Sequence, residues 1–310
     1  MRILVVGAGA VGGYFGGRLI EKGEDVTFLV REKKQLQLKE KGLVIHSVKG
    51  DFHCRPKTIV ATDNPTPFDV VLISTKAYQL KEALAAVEPF VSDYTVIIPL
   101  LNGVEHMEEM RAYFSPDQIF GGLCFIESTL NESGEIVQTS QVDDLVYGEW
   151  NGEKTERARQ IEDVFSGTKS TFTLSENIQQ DMWHKYLFIT TLSGITSLMR
   201  APIGPIRDTF EGRTYIQQLF EEIRLAMNAH GAPIADGIVE KQMEIINKQG
   251  PAMKSSMLRD IEKGSFVEAD HLQGYLLLMA ERYGIETPLL RLIYQHLKVY
   301  EKHLEVVGKS

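Results

Sequence analysis

The spacing of apolar positions changes twice between Met1 and Arg31. Arg2-Ile3-Leu4-Val5-Val6 is a short apolar run of the kind a buried strand needs. The turn Gly7-Ala8-Gly9-Ala10-Val11-Gly12 follows it. Tyr14, Phe15, Leu19 and Ile20 then recur at helical spacing as far as Lys22-Gly23, and Val26 to Val30 is apolar again, stopping at Arg31. The pattern predicts strand, glycine turn, helix, strand.

The same alternation runs on. A short polar helix is expected over Glu32 to Lys41, and strands at Leu43-Val44-Ile45 and Lys57 to Ala61 around a turn containing Gly50. Phe68-Asp69-Val70-Val71-Leu72-Ile73-Ser74 is a continuous apolar run, as in a strand buried on both faces, and it ends at Thr75-Lys76. A helix over 79–87, a buried strand over 95–100, a helix over 104–113 and a strand over 119–125 complete the series. Strand and helix in alternation predict a parallel, doubly wound sheet of Rossmann type, an α/β fold. Strand-like pieces recur at Ile136-Val137 and Leu145-Val146-Tyr147, followed by a helix from Thr155 to Phe165 and a last strand from Lys169 to Leu174.

From Ser175 the strand signal nearly vanishes. Ser175 is placed to cap a long amphipathic helix, and further helices are expected around 209–230, 236–248, 268–283 and 288–304. Pro202, Pro205, Pro233, Pro251 and Pro288 punctuate them. The expected domains are therefore 1–174, a dinucleotide-binding domain, and 175–310, an all-helical domain supplying the substrate side. At 310 residues, two domains are the natural division.

The glycines give this frame its first chemistry. Gly7 lets the chain turn off the strand, Gly9 lets a pyrophosphate approach the backbone, and Gly12 lets the helix pack close to the strand. Ala8, Ala10 and Val11 complete the cradle, and the helix amino end offers N–H groups and a positive dipole to the phosphates. At the end of the second strand an NAD-binding chain carries Asp or Glu; here Arg31 stands there, with Lys33 and Lys34 after it. A guanidinium pairs with a 2′-phosphate where a carboxylate repels it, so NADP(H) is expected. The plainer reading of Arg31 is a cap on a surface loop. Lys76 and Asn102 lie just past two further strand ends, where such sheets bind their ligands.

Composition narrows the partners. A hydrophobic content of 43% and a charged content of 24% describe an ordinary globular protein, and a net charge of −9 argues against nucleic acid or an anionic membrane. Cys54 and Cys124 form no CxxC pattern, which points to a reducing, cytoplasmic home without a disulfide framework. No apolar run approaches the ~20 residues needed to span a bilayer, and the histidines lack metal-ligand spacing. A homodimer is compatible with a helical domain of this kind, and the sequence does not decide it.

Trp183-His184-Lys185, Ser255-Ser256-Met257-Leu258-Arg259-Asp260 and Val267-Glu268-Ala269-Asp270 join the glycine turn, Arg31, Ser74-Thr75-Lys76-Ala77 and Leu101-Asn102-Gly103 in one pattern. The chain resembles the ketopantoate reductase (2-dehydropantoate 2-reductase) family over nearly its whole length. The resemblance implies NADPH-dependent reduction of the 2-keto group of ketopantoate to pantoate, on the route to pantothenate and coenzyme A. It implies Lys185 as the catalytic lysine and Glu268 as its acidic companion. Asn102 would touch cofactor and substrate, Lys76 would lie near the nicotinamide, and Ser256 would bind substrate. The plainer readings are a helix-surface lysine for Lys185 and a helix-start carboxylate for Glu268.

The chain departs from the family where the substrate is held. The family's asparagines one and two turns after the lysine are replaced by Ile189 and Ser193, and the threonine before the glutamate is Val267. Either the pocket takes a different 2-keto acid, or Thr190, Thr191 and Ser193 supply the polar contacts. A reductase of another 2-keto acid or an imine, and a dinucleotide-binding sensor without turnover, stand as alternative functions.

Overall fold

The computed structural model describes residues 1–64 and 66–307. Strand β1 (Arg2–Val6) leads through the glycine turn into α1 (Ala10–Lys22), which ends where Gly23 takes a left-handed conformation and returns its N–H to Ile20. Next come β2 (Asp25–Leu29), α2 (Glu32–Lys41), β3 (Leu43–Ser47), β4 (Phe52–Cys54), β5 (Lys57–Ile59), β6 (Val70–Ile73), α3 (Leu80–Val87) and β7 (Val96–Pro99). The first sheet has the order β5-β2-β1-β6-β7, and every pairing in it is parallel. The chain runs outward from the central β1 to β5 and then returns to β6 on the other side of β1. That reversal creates the crevice beyond the strand ends in which doubly wound sheets bind ligands.

The later part of this region differs from the expected continuation of the sheet. After α4 (Glu105–Met110), shorter than the expected helix, β8 (Gly121–Leu130), β9 (Ile136–Gly148), α5 (Glu156–Phe165) and β10 (Thr171–Leu174) build a second sheet. Its order is β10-β9-β3-β4, with β8 pairing antiparallel to β9. The segment expected to extend the parallel sheet packs on β7 but pairs with it through an isolated bridge, Ile97 to Ile119, rather than as a further strand. Likewise β3 turns through Gly50 into β4 in the second sheet, whereas β5 joins the first. The pieces at Ile136-Val137 and Leu145-Val146-Tyr147 are the two ends of one strand, β9. Its centre is exposed, which interrupts the apolar signal.

Helix α1 packs against both sheets, and its glycines are the reason it can. A Cβ at Gly16 would lie 2.7 Å from Phe28 of the first sheet, and Cβ atoms at Gly13 and Gly17 would lie 2.6 Å and 2.5 Å from Ile136 and Ile45 of the second. A polar group of connections crosses the same gap. The Tyr14 hydroxyl donates to Asp143 Oδ2 at 2.7 Å, and the fully buried Arg18 guanidinium stacks 4.9 Å from the Tyr14 ring and donates to the Gly50 carbonyl at 2.7 Å.

The rest of the chain is helical, with no strand after Leu174 among the described residues. Its elements are α6 (Ile178–Met199), α7 (Ile203–Arg207), α8 (Gly212–His230), α9 (Ile238–Lys248), α10 (Ser256–Glu262), a π-helical turn (Asp270–Gly274), α11 (Tyr275–Arg282) and α12 (Pro288–Val307). Helices α7 and α10 fall outside the helices expected from spacing. Ser175 does not cap α6 directly; its Oγ accepts from Asn177 N–H in the turn before the helix. The Glu222 carboxylate accepts from the N–H groups of Leu289 and Leu290 at the amino end of α12, a favourable place for negative charge. No described helix is long and apolar enough to cross a membrane.

The chain divides into two compact units. One contains Met1–Leu101 and His106–Gln179; the other contains Asn102–Glu105 together with the chain from Gln180 onward. Tyr14→Phe leaves the nearly inaccessible Asp143 without its phenolic donor. Its expected cost is about 1–3 kcal/mol, read as a lower chemical-denaturation midpoint; an unchanged midpoint would reject this role for the Tyr14–Asp143 bond.

Candidate active site

The glycine turn is built as a dinucleotide cradle. Gly7 has φ +93°, donates its N–H to the Leu29 carbonyl at 3.1 Å, and passes so close to β6 that a Cβ would lie 2.6 Å from the Ser74 carbonyl oxygen. A Cβ on Gly12 would lie 2.4 Å from the Gly7 carbonyl. Gly9 is different: a Cβ there meets nothing within 4 Å. It is the N-cap of α1, no side chain caps the helix, and no acidic residue occupies its first turn. Open space in front of a bare helix amino end is what a pyrophosphate needs, so the residues present fit a dinucleotide. Ala8, Ala10 and Val11 lie in the same turn and first helical residues.

Arg31 is the N-cap of α2, and its side chain is 66% exposed. Its Nη2 donates to Glu82 Oε2 of α3 at 2.7 Å. Exposed pairs of this kind are worth about 0–1 kcal/mol, so Glu82 holds the Arg31 guanidinium only weakly. Lys76, half-buried, follows β6 and caps the short 3₁₀ turn Ala77–Gln79.

In the second unit Lys185 lies on α6 and is only 6% exposed, unlike the surface lysine of the plainer reading. The adjacent Tyr186 hydroxyl donates to the carbonyl of Leu272 at 2.5 Å, and burial pushes its phenol well above the ordinary range. Leu272 N–H in turn donates to the Glu268 carbonyl at 3.0 Å. Tyr186 thus fastens the lysine-bearing helix to the π-helical turn that follows Glu268. Such turns rotate successive side chains away from a plain helical stripe and are frequent at functional sites.

His271, the residue before Leu272 in that turn, reaches the Asn102 loop. His271 is 6% exposed; its Nε2 donates to the Asn102 backbone carbonyl at 2.7 Å, and its Nδ1 lies 3.0 Å from Glu105 Oε2. Gly103 between them has φ +80°, and a Cβ there would lie 3.3 Å from His271 Nε2. Asn102, Glu268 and the helix carrying Lys185 are therefore linked by one short series of hydrogen bonds. Sequence reasoning missed His271 and Glu105. The only signal was a histidine interrupting an apolar helix, and nothing in its spacing pointed to Glu105.

The positions that depart from the family pattern are also informative. Thr190, Thr191 and Ser193 are all buried. Ser193 Oγ donates to the Thr190 carbonyl at 3.3 Å and accepts from Gln273 Nε2 at 3.1 Å. Gln273 Oε1 and Thr190 Oγ1 are buried without a hydrogen-bond partner among the described residues. A side-chain amide thus sits beside the second replaced position, supplied by the π-helical turn rather than by α6. Ser256 is exposed at the first position of α10. The buried Ser255 caps that helix through Leu258 N–H at 3.1 Å and bonds Thr196 of α6 at 2.8 Å.

Residues 3–152 match the family described as Ketopantoate reductase PanE/ApbA, and residues 177–301 match its C-terminal counterpart. The chain belongs to the ketopantoate reductase family. It is an oxidoreductase of the nicotinamide-dependent kind that acts on a keto or CH–OH group. An uncharacterized oxidoreductase, YkpB of Bacillus subtilis (strain 168), is 48% identical over 97% of this chain and 99% of its own length. The crystal structure of 2-dehydropantoate 2-reductase from Geobacter metallireducens GS-15 superposes with a TM-score of 0.87 at 28% identity, covering 96% of this chain and 99% of that one. A ternary structure of D-mandelate dehydrogenase with NADH and anilino(oxo)acetate has a TM-score of 0.89 at 19% identity, over 98% and 100% of the two chains. That last likeness is one of fold alone.

The contrast between the first two glycines is directly measurable. Gly7→Ala combines a left-handed backbone with a clash at the Ser74 carbonyl and is expected to lose at least about 1–3 kcal/mol. Gly9→Ala should leave the melting temperature nearly unchanged and weaken dinucleotide binding. Equal thermal stability of the two variants would contradict the geometry of the turn.

Proposed function

We propose that the protein catalyses NADPH-dependent reduction of ketopantoate to pantoate in the cytoplasm. The observation that carries this reading is the burial of Lys185, in the same compact unit as Glu268 and Asn102. An ammonium held out of water acts strongly on negative charge developing nearby. Bound NADPH supplies a hydride to the keto carbon. Lys185 would stabilise the charge that forms on the keto oxygen and deliver the proton that completes the hydroxyl. Glu268 would favour the charged form of that lysine. Asn102 would orient cofactor and substrate, Lys76 would lie toward the nicotinamide, and Ser193 and Ser256 would contact the substrate. The main chain from Gly7 to Gly12 would hold the pyrophosphate, and Arg31 the 2′-phosphate in exchange for Glu82.

A different 2-keto acid is the second reading, favoured by one feature. Ile189 offers an apolar surface where the family has an amide, while the Gln273 amide beside Ser193 offers a polar group from another direction. A homodimer is also proposed: Leu292 and Val299 of α12 are exposed one heptad apart and give that helix an apolar outer stripe.

NADPH oxidation followed against a panel of 2-keto acids separates these readings. Ketopantoate should give the highest kcat/KM. Preference for another acid selects the second reading, and no turnover on any acid leaves a dinucleotide sensor. Lys185→Ala should lower kcat by about 10²–10⁴-fold; near-normal kcat would remove the proposed acid. Arg31→Ala should raise KM for NADPH about tenfold, the worth of one charge-assisted contact, with KM for NADH unchanged. A wild type that prefers NADH would overturn the cofactor assignment.

A further inference from the structure

The His271 ring has acceptors at both nitrogens. The Asn102 carbonyl can only accept, so the proton on Nε2 is fixed. The 3.0 Å contact from Nδ1 to the Glu105 carboxylate then needs one more proton between the two groups. An isolated imidazole holds its proton about two pH units more tightly than a glutamate carboxyl, so that proton belongs to the ring. Without it, the Nδ1 lone pair faces a carboxylate across 3.0 Å, and the contact becomes repulsive.

The surroundings favour the charged ring overall. Burial disfavours it. The hydrogen bond to Glu105, the charge of Glu268, the Asn102 carbonyl and the charge of Glu105 act the other way, and His271 ends above the ordinary histidine value. Two further titratable groups adjoin it: Tyr186 of α6, whose hydroxyl reaches the His271 carbonyl at 3.4 Å, and the preceding residue Asp270, whose carboxylate is paired with Lys298 of α12 at 2.9 Å. Because the bound value is raised, the stabilisation is complete below the ordinary histidine range. It is lost as pH rises through the raised value.

We infer that His271 is a positioning residue: as an imidazolium donating from both ring nitrogens, it holds the Asn102–Glu105 loop in its substrate-binding conformation, and loss of the ring proton releases that loop. The inference rests on the proposed 2-keto acid reductase activity for its kinetic consequence, and on ring and loop geometry for the rest. His271 acts through Asn102 rather than on substrate or cofactor.

Two measurements on the full-length protein test it. The first is NMR of the ¹⁵N-labelled histidine rings, with His271→Gln used for assignment. His271 should be doubly protonated at pH 6.5, and the amide signals of Gly103 and Val104 should move with its titration. A singly protonated ring at pH 6.5, or loop amides that ignore the titration, overturns the inference whether or not the protein reduces ketopantoate.

The second measurement is the pH profile of KM and kcat for the preferred 2-keto acid. In the wild type KM should rise about tenfold as pH passes through the value measured by NMR, with kcat changing far less. Glu105→Gln provides the discriminating variant, because its amide can donate to Nδ1 of a neutral ring and satisfy the contact without the extra proton. Its KM should stay near the low-pH wild-type value across the range. His271→Gln should show a raised, flat KM. A Glu105→Gln profile that rises like the wild type overturns the inference, since a merely structural pair would not exchange a pH-dependent KM for a flat one. Absence of turnover on every 2-keto acid instead overturns the activity on which the kinetic half rests, and the NMR titration then decides the loop-holding role alone.

Discussion

The close approach of α1 to two sheets at once governs the first unit. Ordinary side chains hold a helix off the sheet it packs against, and this one meets neighbours from both directions at Gly13, Gly16 and Gly17. Its axis has little room to shift, so its amino end stays fixed relative to the ends of β1 and β6. The bare N–H groups at the amino end of α1 keep a fixed direction because the helix behind them is held this firmly. Arg18 and Tyr14 strengthen the hold by carrying polar chemistry into the packed layer. Their partners Asp143 and Gly50 come from the second sheet, so that sheet supports the helix as well as covering it.

Much of this was legible locally. The glycine turn sits between a strand and a helix of opposite apolar period, and Val70 to Ile73 is buried along its whole length, as its composition suggested. Helix α2 spans the expected residues despite burying only Leu38, since its polar residues are good helix formers. The second sheet was not legible. Strand pairing is a long-range choice, and the apolar period of Leu43 to Ile45 or of Ile119 to Phe125 is the same whichever sheet receives it. The Tyr14–Asp143 bond joins residues 129 apart in sequence, and no local spacing encodes it.

The helical unit follows the same division. Its long helices were legible from period and proline, but the π-helical turn was not, because one extra residue in a helix leaves the composition unchanged. That turn presents His271 to Glu105 across 166 residues and Gln273 to Ser193 across 80. The motif residues Lys185, Glu268 and Asn102 stand out by pattern; His271, Glu105 and Gln273 do not. The buried state of Lys185 was likewise invisible, since a lysine on an amphipathic helix reads as solvent-facing until its neighbours are known.

The loop Asn102–Glu105 belongs by its packing to a unit whose remaining residues begin at Gln180. The helical portion is thus not self-contained as a stretch of polypeptide. A gene fragment encoding only the chain from Gln180 onward would make a His271 with neither carbonyl nor carboxylate to receive its protons, leaving a polar hole in an otherwise packed interior. Recombination that exchanged this half between relatives would have to carry Asn102–Glu105 with it to keep both contacts of the His271 ring.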